Sequence, residues 1–366
     1  MNITLDKDII LNKLITANKF VSDKLNAANA LQGIYLSFEE KELHLYSTNL
    51  TVYYHTVIQA DIQKEERGVI IEPRKIIEFL QLLQPGKIEI SITDNQIQIS
   101  QQKAKGIFPV MSSEDFPLPP DLQEEEHKLN SSFLVESLPF ILFTASSDDS
   151  RPVLTGINFV VSEDELIVVS TDGFRLSFLK EKQKGDFSNM IIPADFLQEI
   201  VKNAKNVKEV SFIYSKKENI VLFKIENEDF YSRLIDGEFP PYERVIPAEK
   251  KTTVELNREE LLRNTKLISI FARDYSNVIV YEFTKNGLVL RPKEEGNKDN
   301  STLQEIVFEG EDQTVAFNYR YVIDFLNNVK SEEIVIEMLR SDAPVVFKAK
   351  GNEQFFHIIM PIRIQN

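Results

Sequence analysis

The residues of this chain best placed for acid–base chemistry are Asp172 and Arg175, which lie three positions apart in the segment Ser170–Leu176. A carboxylate beside a basic side chain can act as an acid–base pair, so this spacing allows a hydrolase site. The same segment contains Asp172 followed by Gly173 between β-prone runs, a dipeptide typical of tight turns. The residue types favour the turn, and hydrolysis remains the alternative.

Other reactive groups are scarce. The chain has 366 residues and no cysteine, which excludes disulfides, thiolate nucleophiles and thiolate metal sites. No phosphate-binding loop, dinucleotide fingerprint or nucleophile elbow occurs. The four histidines, which are His44, His55, His127 and His357, have no ligand-like spacing. We therefore expect no catalytic residue, no metal and no cofactor.

The elements that must position these residues repeat along the chain. Leu31–Ile34 returns as Leu154–Ile157, and Ser47–Leu50 returns as Ser170–Gly173, both at an offset of 123 positions. Three units of similar size favour a scaffold of equivalent domains over a single catalytic pocket. We place the domains at 1–120, 128–247 and 252–366.

Each unit opens with a helical pattern and has a second one near its middle. Asp6 and Asn257 are suitable N-caps for the opening helices of the first and third units. In the second unit, Pro139 should kink the opening helix or shift its start. The second helices of the units are predicted at 73–83, 193–204 and 318–329. Pro73 and Pro193 suit a first helical turn, where no backbone N–H is needed.

Short alternating runs follow the helices. Ile88–Ile92 with Ile97–Ile99, and Val210–Phe212 with Val221–Phe223, are separated by turn residues and predict hairpins. The order helix, strands, helix, strands in each unit indicates an α+β fold with antiparallel sheet.

The overall charge is strongly acidic. Lysine and arginine number 42 against 57 aspartates and glutamates, which gives a net charge of −15 and a pI of about 4.9. This average argues against a nucleic-acid or anionic-membrane partner, although a local basic lining is compatible with it. No apolar signal segment occurs, and the apolar runs are too short to span a membrane. We expect a cytoplasmic protein with no membrane partner.

Four segments resemble a known family, the bacterial DNA polymerase III β subunit or sliding clamp. They are Ser170–Leu176, Phe239–Pro247, Phe317–Tyr321 and Met360–Arg363. The resemblance runs in order along the whole chain. It implies an α+β DNA-clamp fold of three similar domains, each with two helices on the inner side and antiparallel sheet outside. Two chains would form a head-to-tail ring that encircles duplex DNA, independently of its sequence, and has no catalysis of its own.

The resemblance also implies a cleft between the second and third domains that binds short linear motifs. Its partners would be the DNA polymerase III catalytic subunit, the clamp loader, other polymerases and repair proteins. Apolar residues suit an apolar peptide, and Met360 can adapt its shape to several ligands. Arg175, Arg244 and Arg363 could hold carbonyls or a terminal carboxylate. The alternative for Leu154, Leu176 and Val245 is a plain core position. The cleft residues carried over are Leu154, Thr171, Gly173, Phe174, Arg175, Leu176, Pro240, Arg244, Val245, Asn318, Tyr321, Val345, Ile358, Met360, Pro361, Ile362 and Arg363.

Basic side chains are candidates for facing DNA. In the third unit, helical spacing places the basic side chains on one face of the helix, away from the apolar positions. The same holds for the basic side chains of the second unit on their own helix. A solvated helix face is the alternative, and the resemblance favours DNA contact for these two units. The candidates are Lys24, Arg74, Lys202, Lys205, Arg258, Lys266 and Arg273.

At the dimer edge that the resemblance implies, Phe108, Ile270 and Phe271 match apolar family positions. A ring that slides should hold DNA by topology, because tight phosphate contacts would act as a brake and give a steep salt dependence. The rival to this homodimeric clamp is a repeat-built protein–protein adaptor that never meets DNA, which the acidic pI would suit.

Overall fold

The structure is a computed structural model that describes residues 2–24, 26–39, 41–60, 67–162, 165–182, 188–274, 276–293 and 299–363. The chain divides into two compact units. Unit 1 comprises Met1–Ser131 and Asn203–Leu234, and unit 2 comprises Ser132–Lys202 and Ile235–Asn366.

The opening helices of the first and third units begin directly after the N-caps that the sequence predicts, Asp6 and Asn257. Asp6 Oδ1 accepts hydrogen bonds from the backbone N–H groups of Asp8 at 2.9 Å and Ile9 at 3.2 Å. Asn257 Oδ1 accepts one from the N–H of Glu260 at 2.9 Å. Each cap satisfies amides that have no partner within the helix. The helices are α1 Lys7–Ala17, α2 Pro73–Leu82, α3 Pro139–Leu142, α4 Ala194–Asn203, α5 Arg258–Ala272 and α6 Tyr319–Asn328.

The prolines act at three different places. Pro73 is the first residue of α2, as predicted. Pro139 begins the short helix α3 directly after a π-helical segment, Phe133–Ser137, so the expected interruption is confirmed. Pro193 was wrongly placed in a helix, since it ends a strand and α4 begins at the next residue. An edge strand tolerates proline because one side of its ladder is unpaired.

The strands pair antiparallel throughout the described residues. In chain order they are β1 Asn2–Asp6, β2 Ile34–Glu39, β3 Glu42–Thr48, β4 Val52–Gln59, β5 Arg67–Ile71, β6 Lys87–Ile92, β7 Gln96–Gln101, β8 Ala104–Met111, β9 Glu126–Asn130, β10 Gly156–Ser162, β11 Glu165–Thr171, β12 Arg175–Glu181, β13 Met190–Pro193, β14 Glu209–Ser215, β15 Ile220–Ile225, β16 Glu228–Arg233, β17 Thr252–Asn257, β18 Val278–Thr284, β19 Gly287–Pro292, β20 Thr302–Gln304, β21 Val307–Gly310, β22 Gln313–Asn318, β23 Glu333–Met338, β24 Val345–Ala349 and β25 Phe355–Ile359.

Unit 1 contains one twelve-stranded sheet in the order β1-β6-β7-β8-β5-β2-β3-β4-β16-β15-β14-β9. The predicted hairpins β6–β7 and β14–β15 are confirmed. Between β4 and β16 the sheet joins strands that are about 170 residues apart, with Tyr53 opposite Tyr231. Patterns of neighbouring residues predict local hairpins but cannot predict this long-range strand pairing.

Unit 2 contains a nine-stranded sheet, β13-β10-β11-β12-β25-β24-β23-β17-β21, and a four-stranded sheet, β20-β19-β18-β22. In the larger sheet, β12 pairs with β25 so that Leu176 lies opposite Ile358. The last described strand therefore lies beside the turn that precedes β12, and this pairing builds the site described below.

Apolar stripes hold the helices against the sheets. Leu197 and Ile200 of α4 are fully buried, as are Leu261 and Ile268 of α5. Each such side chain contributes about 1.5–3 kcal/mol relative to an exposed position. No helix of the described residues has both the length and the apolar composition needed to cross a membrane.

Candidate functional site

An open apolar cavity of about 190 Å³ lies in unit 2, beside the paired strands β12 and β25. Leu176 and Ile358 form a buried part of its wall, and Phe174 is more than half exposed at its mouth. A concave, apolar site of this kind suits an apolar ligand. The lining residues are Leu154, Thr171, Gly173, Phe174, Arg175, Leu176, Pro240, Pro241, Tyr242, Val245, Ile358 and Met360.

The segment around Asp172 is the turn that the sequence favours. Asp172 Oδ1 accepts hydrogen bonds from the N–H groups of Phe174 at 2.9 Å and Arg175 at 3.0 Å. Thr171 Oγ1 donates to the carbonyl of Arg175 at 2.6 Å and accepts from the N–H of Gly173 at 3.0 Å. Gly173 has a φ of +92°, which a glycine adopts without strain. The Asp172 carboxylate therefore stabilises the turn at the cavity rim and is not available as an acid–base group for hydrolysis.

Arg175 is held inside the protein rather than offered to a ligand. Its Nη1 donates to Asp324 Oδ2 at 2.7 Å, its Nε to Asp172 Oδ2 at 3.0 Å and its Nη2 to the carbonyl of Phe143 at 3.2 Å. The guanidinium also lies 4.6 Å from the ring centroid of Tyr321. The side chain is 10% exposed. Arg175 lines the cavity, but its cation is already neutralised, which corrects the expected role in holding a peptide carboxylate.

Seven carried-over cleft residues do not line the cavity, namely Arg244, Asn318, Tyr321, Val345, Pro361, Ile362 and Arg363. Asn318 Oδ1 accepts from the N–H of Arg320 at 3.1 Å and caps α6. Tyr321 stands next to the cavity mouth, with its ring stacked on Phe174 at 6.5 Å between centroids. Ile362 packs on a separate apolar group in the four-stranded sheet. Arg244 lies directly beside the cavity wall, because its backbone N–H donates to the carbonyl of the lining residue Pro241 at 3.3 Å.

Val345 differs from the expectation for a specific reason. Val345 is fully buried, whereas its neighbour Val346 belongs to the apolar cluster that contains Leu176 and Ile358. Successive residues of a strand point to opposite faces of the sheet. Val345 therefore lies on the opposite face of the sheet from Leu176 and Ile358, and Val346 packs in their cluster without lining the cavity.

Two lining residues were missed, Pro241 and Tyr242. Tyr242 is buried against Phe178, with 6.0 Å between ring centroids, in a 3-10 turn that spans Tyr242–Val245. Burial, followed by the charge of Glu243, raises the pKa of Tyr242 to about 12. Both residues lie inside the segment Phe239–Pro247, so an aromatic ring after two prolines was the available signal.

Arg258 was expected to face DNA, and the structure corrects this. Its Nη1 donates to the carbonyl of Leu326 at 2.8 Å and its Nε to that of Ser331 at 2.9 Å. Leu326 lies in the last turn of α6, where carbonyl groups lack partners within the helix and attract cations. Arg258 therefore ties α5 to the end of α6 and is mostly buried.

The other six basic candidates are exposed. Arg74 Nη2 lies 3.4 Å from Asp23 Oδ1, and Lys202 Nζ lies 2.6 Å from Glu199 Oε1. Such surface ion pairs contribute little to stability. The exposed set is Lys24, Arg74, Lys202, Lys205, Lys266 and Arg273.

The three expected dimer residues are apolar and accessible to different degrees. Ile270 and Phe271 are exposed on α5. Phe108 is half-buried on β8 and meets the ring of Phe79 at 5.7 Å between centroids. A Cβ at Gly106 would lie 2.8 Å from the Phe108 ring, so the glycine makes room for this packing. Among the described residues, β8 pairs with β7 along Ala104–Pro109 and leaves its other edge open there.

A buried cluster of three polar side chains in unit 2 had no signal in the sequence. Ser177 Oγ lies 2.8 Å from His357 Nδ1, and Thr144 Oγ1 lies 2.7 Å from Ser177 Oγ. Serine beside histidine can form a nucleophile, yet all three side chains are completely enclosed and no substrate can reach them. Burial, followed by the charge of Arg175, holds the pKa of His357 well below its ordinary range. Within the described ranges, no group of three histidine or acidic side chains is placed to hold a metal ion.

Three domain models of the DNA polymerase III beta subunit match the chain in order. The N-terminal domain matches residues 1–120, the central domain 128–241 and the C-terminal domain 243–363. The beta sliding clamp of Halalkalibacterium halodurans is 27% identical over 383 residues, covering 99% of this chain and 100% of the relative. That of Staphylococcus epidermidis is 26% identical over 380 residues and covers 99% of each.

Solved structures show the same fold. The DNA polymerase III beta chain of Streptococcus pneumoniae superposes with a TM-score of 0.92 at 24% identity and covers 99% of each chain. The beta subunit of Thermotoga maritima gives a TM-score of 0.92 at 22% identity over 100% of each chain. The three-domain clamp fold of helices and antiparallel sheet is thereby confirmed.

Proposed function

This chain belongs to the DNA polymerase III beta subunit family and has the role of a sliding clamp in DNA replication, and from that premise we propose that two copies close into a ring around duplex DNA. The role is not catalytic. We assign the three domains to 1–120, 128–247 and 252–366, and the site of action to the cytoplasm. The bore would hold DNA without reading its sequence.

The closure of the ring is supported by two different apolar surfaces. One is Phe108 beside the open edge of β8, and the other is Ile270 with Phe271 on α5. Because the two surfaces are not alike, each copy would present one to the next copy, which gives a head-to-tail contact. Two such contacts close a ring.

The single observation that carries the binding function is the apolar cavity in unit 2. It gathers Leu176, Val245, Ile358 and Met360 around a space that a few apolar side chains of a short peptide can fill. The partners would be the polymerase III catalytic subunit, the clamp loader, other polymerases and repair proteins. One common cleft would make these partners compete for the clamp.

The exposed basic residues support a loose contact with DNA. Lys24, Arg74, Lys202, Lys205, Lys266 and Arg273 would face the duplex, whereas Arg258 would not. Few phosphate contacts keep the salt dependence shallow and allow sliding, so enclosure rather than adhesion retains the ring.

Retention on circular and linear DNA tests the proposal. After loading by the clamp loader onto a nicked circle, the protein should stay bound in moderate salt and leave when the circle is cut. Equal retention on circular and linear DNA would show adhesion instead of enclosure. A protein adaptor that never meets DNA would be retained on neither, and sedimentation as a monomer at all concentrations would exclude the ring.

A further inference from the structure

Unit 1 contains a turn built like the one at the cavity rim in unit 2. Thr48 Oγ1 donates to the carbonyl of Val52 at 2.8 Å and accepts from the N–H of Leu50 at 2.9 Å. Thr171 makes the same pair of bonds at 2.6 Å and 3.0 Å, 123 residues later. Asn49 accepts from two N–H groups just as Asp172 does. The two rims are therefore equivalent bond for bond.

The strand pairs behind the two turns are equivalent as well. Tyr53 lies opposite Tyr231 in the pair β4–β16, just as Leu176 lies opposite Ile358 in the pair β12–β25. The backbone at the end of the second strand makes the same hydrogen bond in both pairs. The N–H of Arg233 donates to the carbonyl of Thr51 at 2.8 Å, and that of Met360 donates to the carbonyl of Phe174 at 2.9 Å. Tyr53 and Tyr231 thus occupy the positions of Leu176 and Ile358.

The two sites differ in what fills them. In unit 2, Leu176 and Ile358 border the open cavity. In unit 1, Tyr53 and Tyr231 are 7% and 8% exposed, and their rings meet edge to face with 6.4 Å between centroids. Leu122, the counterpart of Val245, packs against the same cluster. Two phenol rings have the bulk to fill a space that leucine and isoleucine leave open.

We propose that Tyr53 and Tyr231 close a second peptide cleft in unit 1, so that each chain offers one peptide site instead of two. This inference rests on the proposed peptide binding in unit 2. Arg233 completes the closure, because it replaces the adaptable Met360 and its Nε donates to the carbonyl of Leu50 at 3.1 Å. The rim keeps its apolar character, since Leu50 in the turn is about half exposed. The closed site would take the same ligand, an apolar peptide.

Opening the site is the first test. The probe is a synthetic peptide of the C-terminal tail of the polymerase III catalytic subunit, titrated by calorimetry into the full-length chain. The variant Tyr53→Leu with Tyr231→Ile should raise the stoichiometry from one peptide per chain to two, and a crystal structure should show a new cavity in unit 1. The control Tyr53→Phe with Tyr231→Phe keeps both rings and should keep one site. A folded Leu/Ile variant with one site and no new cavity would overturn the proposal.

The reciprocal exchange keeps the test decisive if the opened variant does not fold. Leu176→Tyr with Ile358→Tyr should close the cavity of unit 2 and weaken peptide binding at least about tenfold, which is 1.4 kcal/mol. Unchanged affinity would show that tyrosines in this register do not close the cleft. Failure of the wild-type chain to bind the peptide at all is a distinct result, and it would refute the peptide function of unit 2 itself.

Discussion

The guanidinium of Arg175 lies 4.6 Å from the ring centroid of Tyr321, while its Nη1 donates to Asp324 Oδ2 at 2.7 Å. One side chain therefore positions two residues of α6 beside the turn that forms the cavity rim. Tyr321 in turn stacks on the exposed ring of Phe174 at the mouth. Arg175 acts on the cavity as a brace for its aromatic wall.

Replacement of this brace should weaken peptide binding. Arg175→Lys keeps the charge but loses the planar fork and the stacking on Tyr321, so we expect a loss of about 1–2 kcal/mol in binding free energy. Arg263→Lys, at an exposed position of α5 that does not line the cavity, is the control and should bind normally. Calorimetry with the polymerase-tail peptide measures both. Equal affinities of the two variants would rule out the brace.

The two equivalent turns permit a matched test of the rim. Asp172→Ala and Asn49→Ala each remove a side chain that accepts two backbone hydrogen bonds, so each should lower the free energy of unfolding by about 1–3 kcal/mol. Only Asp172→Ala should also weaken peptide binding, since its turn borders the open cavity and the turn of Asn49 borders the site that we propose to be closed. Thermal unfolding and peptide titration give the two quantities. A binding loss in Asn49→Ala would argue against a single working cleft.

Met360 should be an anchor for apolar peptides. Met360→Ala removes a flexible side chain from the cavity wall, and we expect binding to weaken by about 1–3 kcal/mol with little change in stability. Val307→Ala removes an exposed apolar side chain outside the cavity and serves as the control. The proposed cleft would be wrong if the peptide bound the Met360 variant as tightly as the wild type.

Lys202 and Lys205 should contribute to the salt dependence of DNA contact. Lys202→Ala with Lys205→Ala removes two exposed cations, so the slope of log affinity for linear duplex against log salt should become shallower by about 1–2 units. Lys216→Ala with Lys217→Ala alters two exposed lysines in the β14–β15 turn and should leave the slope unchanged. An identical slope in both double variants would assign Lys202 and Lys205 to solvent.

His357 should make the fold sensitive to acid. Its folded pKa lies well below the ordinary value of 6.5, so below that pH the unfolded chain takes up a proton that the folded chain does not. The free energy of unfolding should therefore fall as pH decreases below about 6.5, by about 1.4 kcal/mol per pH unit, until the folded pKa is reached. His357→Gln should remove this contribution, which urea unfolding across the pH range measures.

Ser177→Ala is the matched control for His357. It removes the hydrogen bond to Nδ1 but leaves the ring buried between Phe143 and Phe325, so the acid sensitivity should remain. Burial is the first cause of the low pKa, with the charge of Arg175 second. Loss of the pH slope in Ser177→Ala would make the hydrogen bond the cause instead.

Local features of the fold were predictable from the sequence because they depend on neighbouring residues. Asp6 and Asn257 cap helices through side chains that reach only two or three residues ahead. The turn at Asp172 and Gly173 follows in the same way from a short side chain and a residue that accepts positive φ. Most residues of the cavity lining were identified from sequence motifs that resemble those of the sliding-clamp family in residue type and spacing.

The amino-acid sequence by itself determined the three repeated units, their caps and hairpins, and the segments that form the cavity. Tertiary structure alone decided which side chains are available. It paired β12 with β25 and β4 with β16 across about 170 to 180 residues. It paired β24 with β25 as well, which placed Val346 rather than Val345 on the face of Leu176 and Ile358. It also used Arg258 to hold the end of α6. Helical and strand periods fix a residue's face only relative to its own element, and long-range pairing then determines what that face meets.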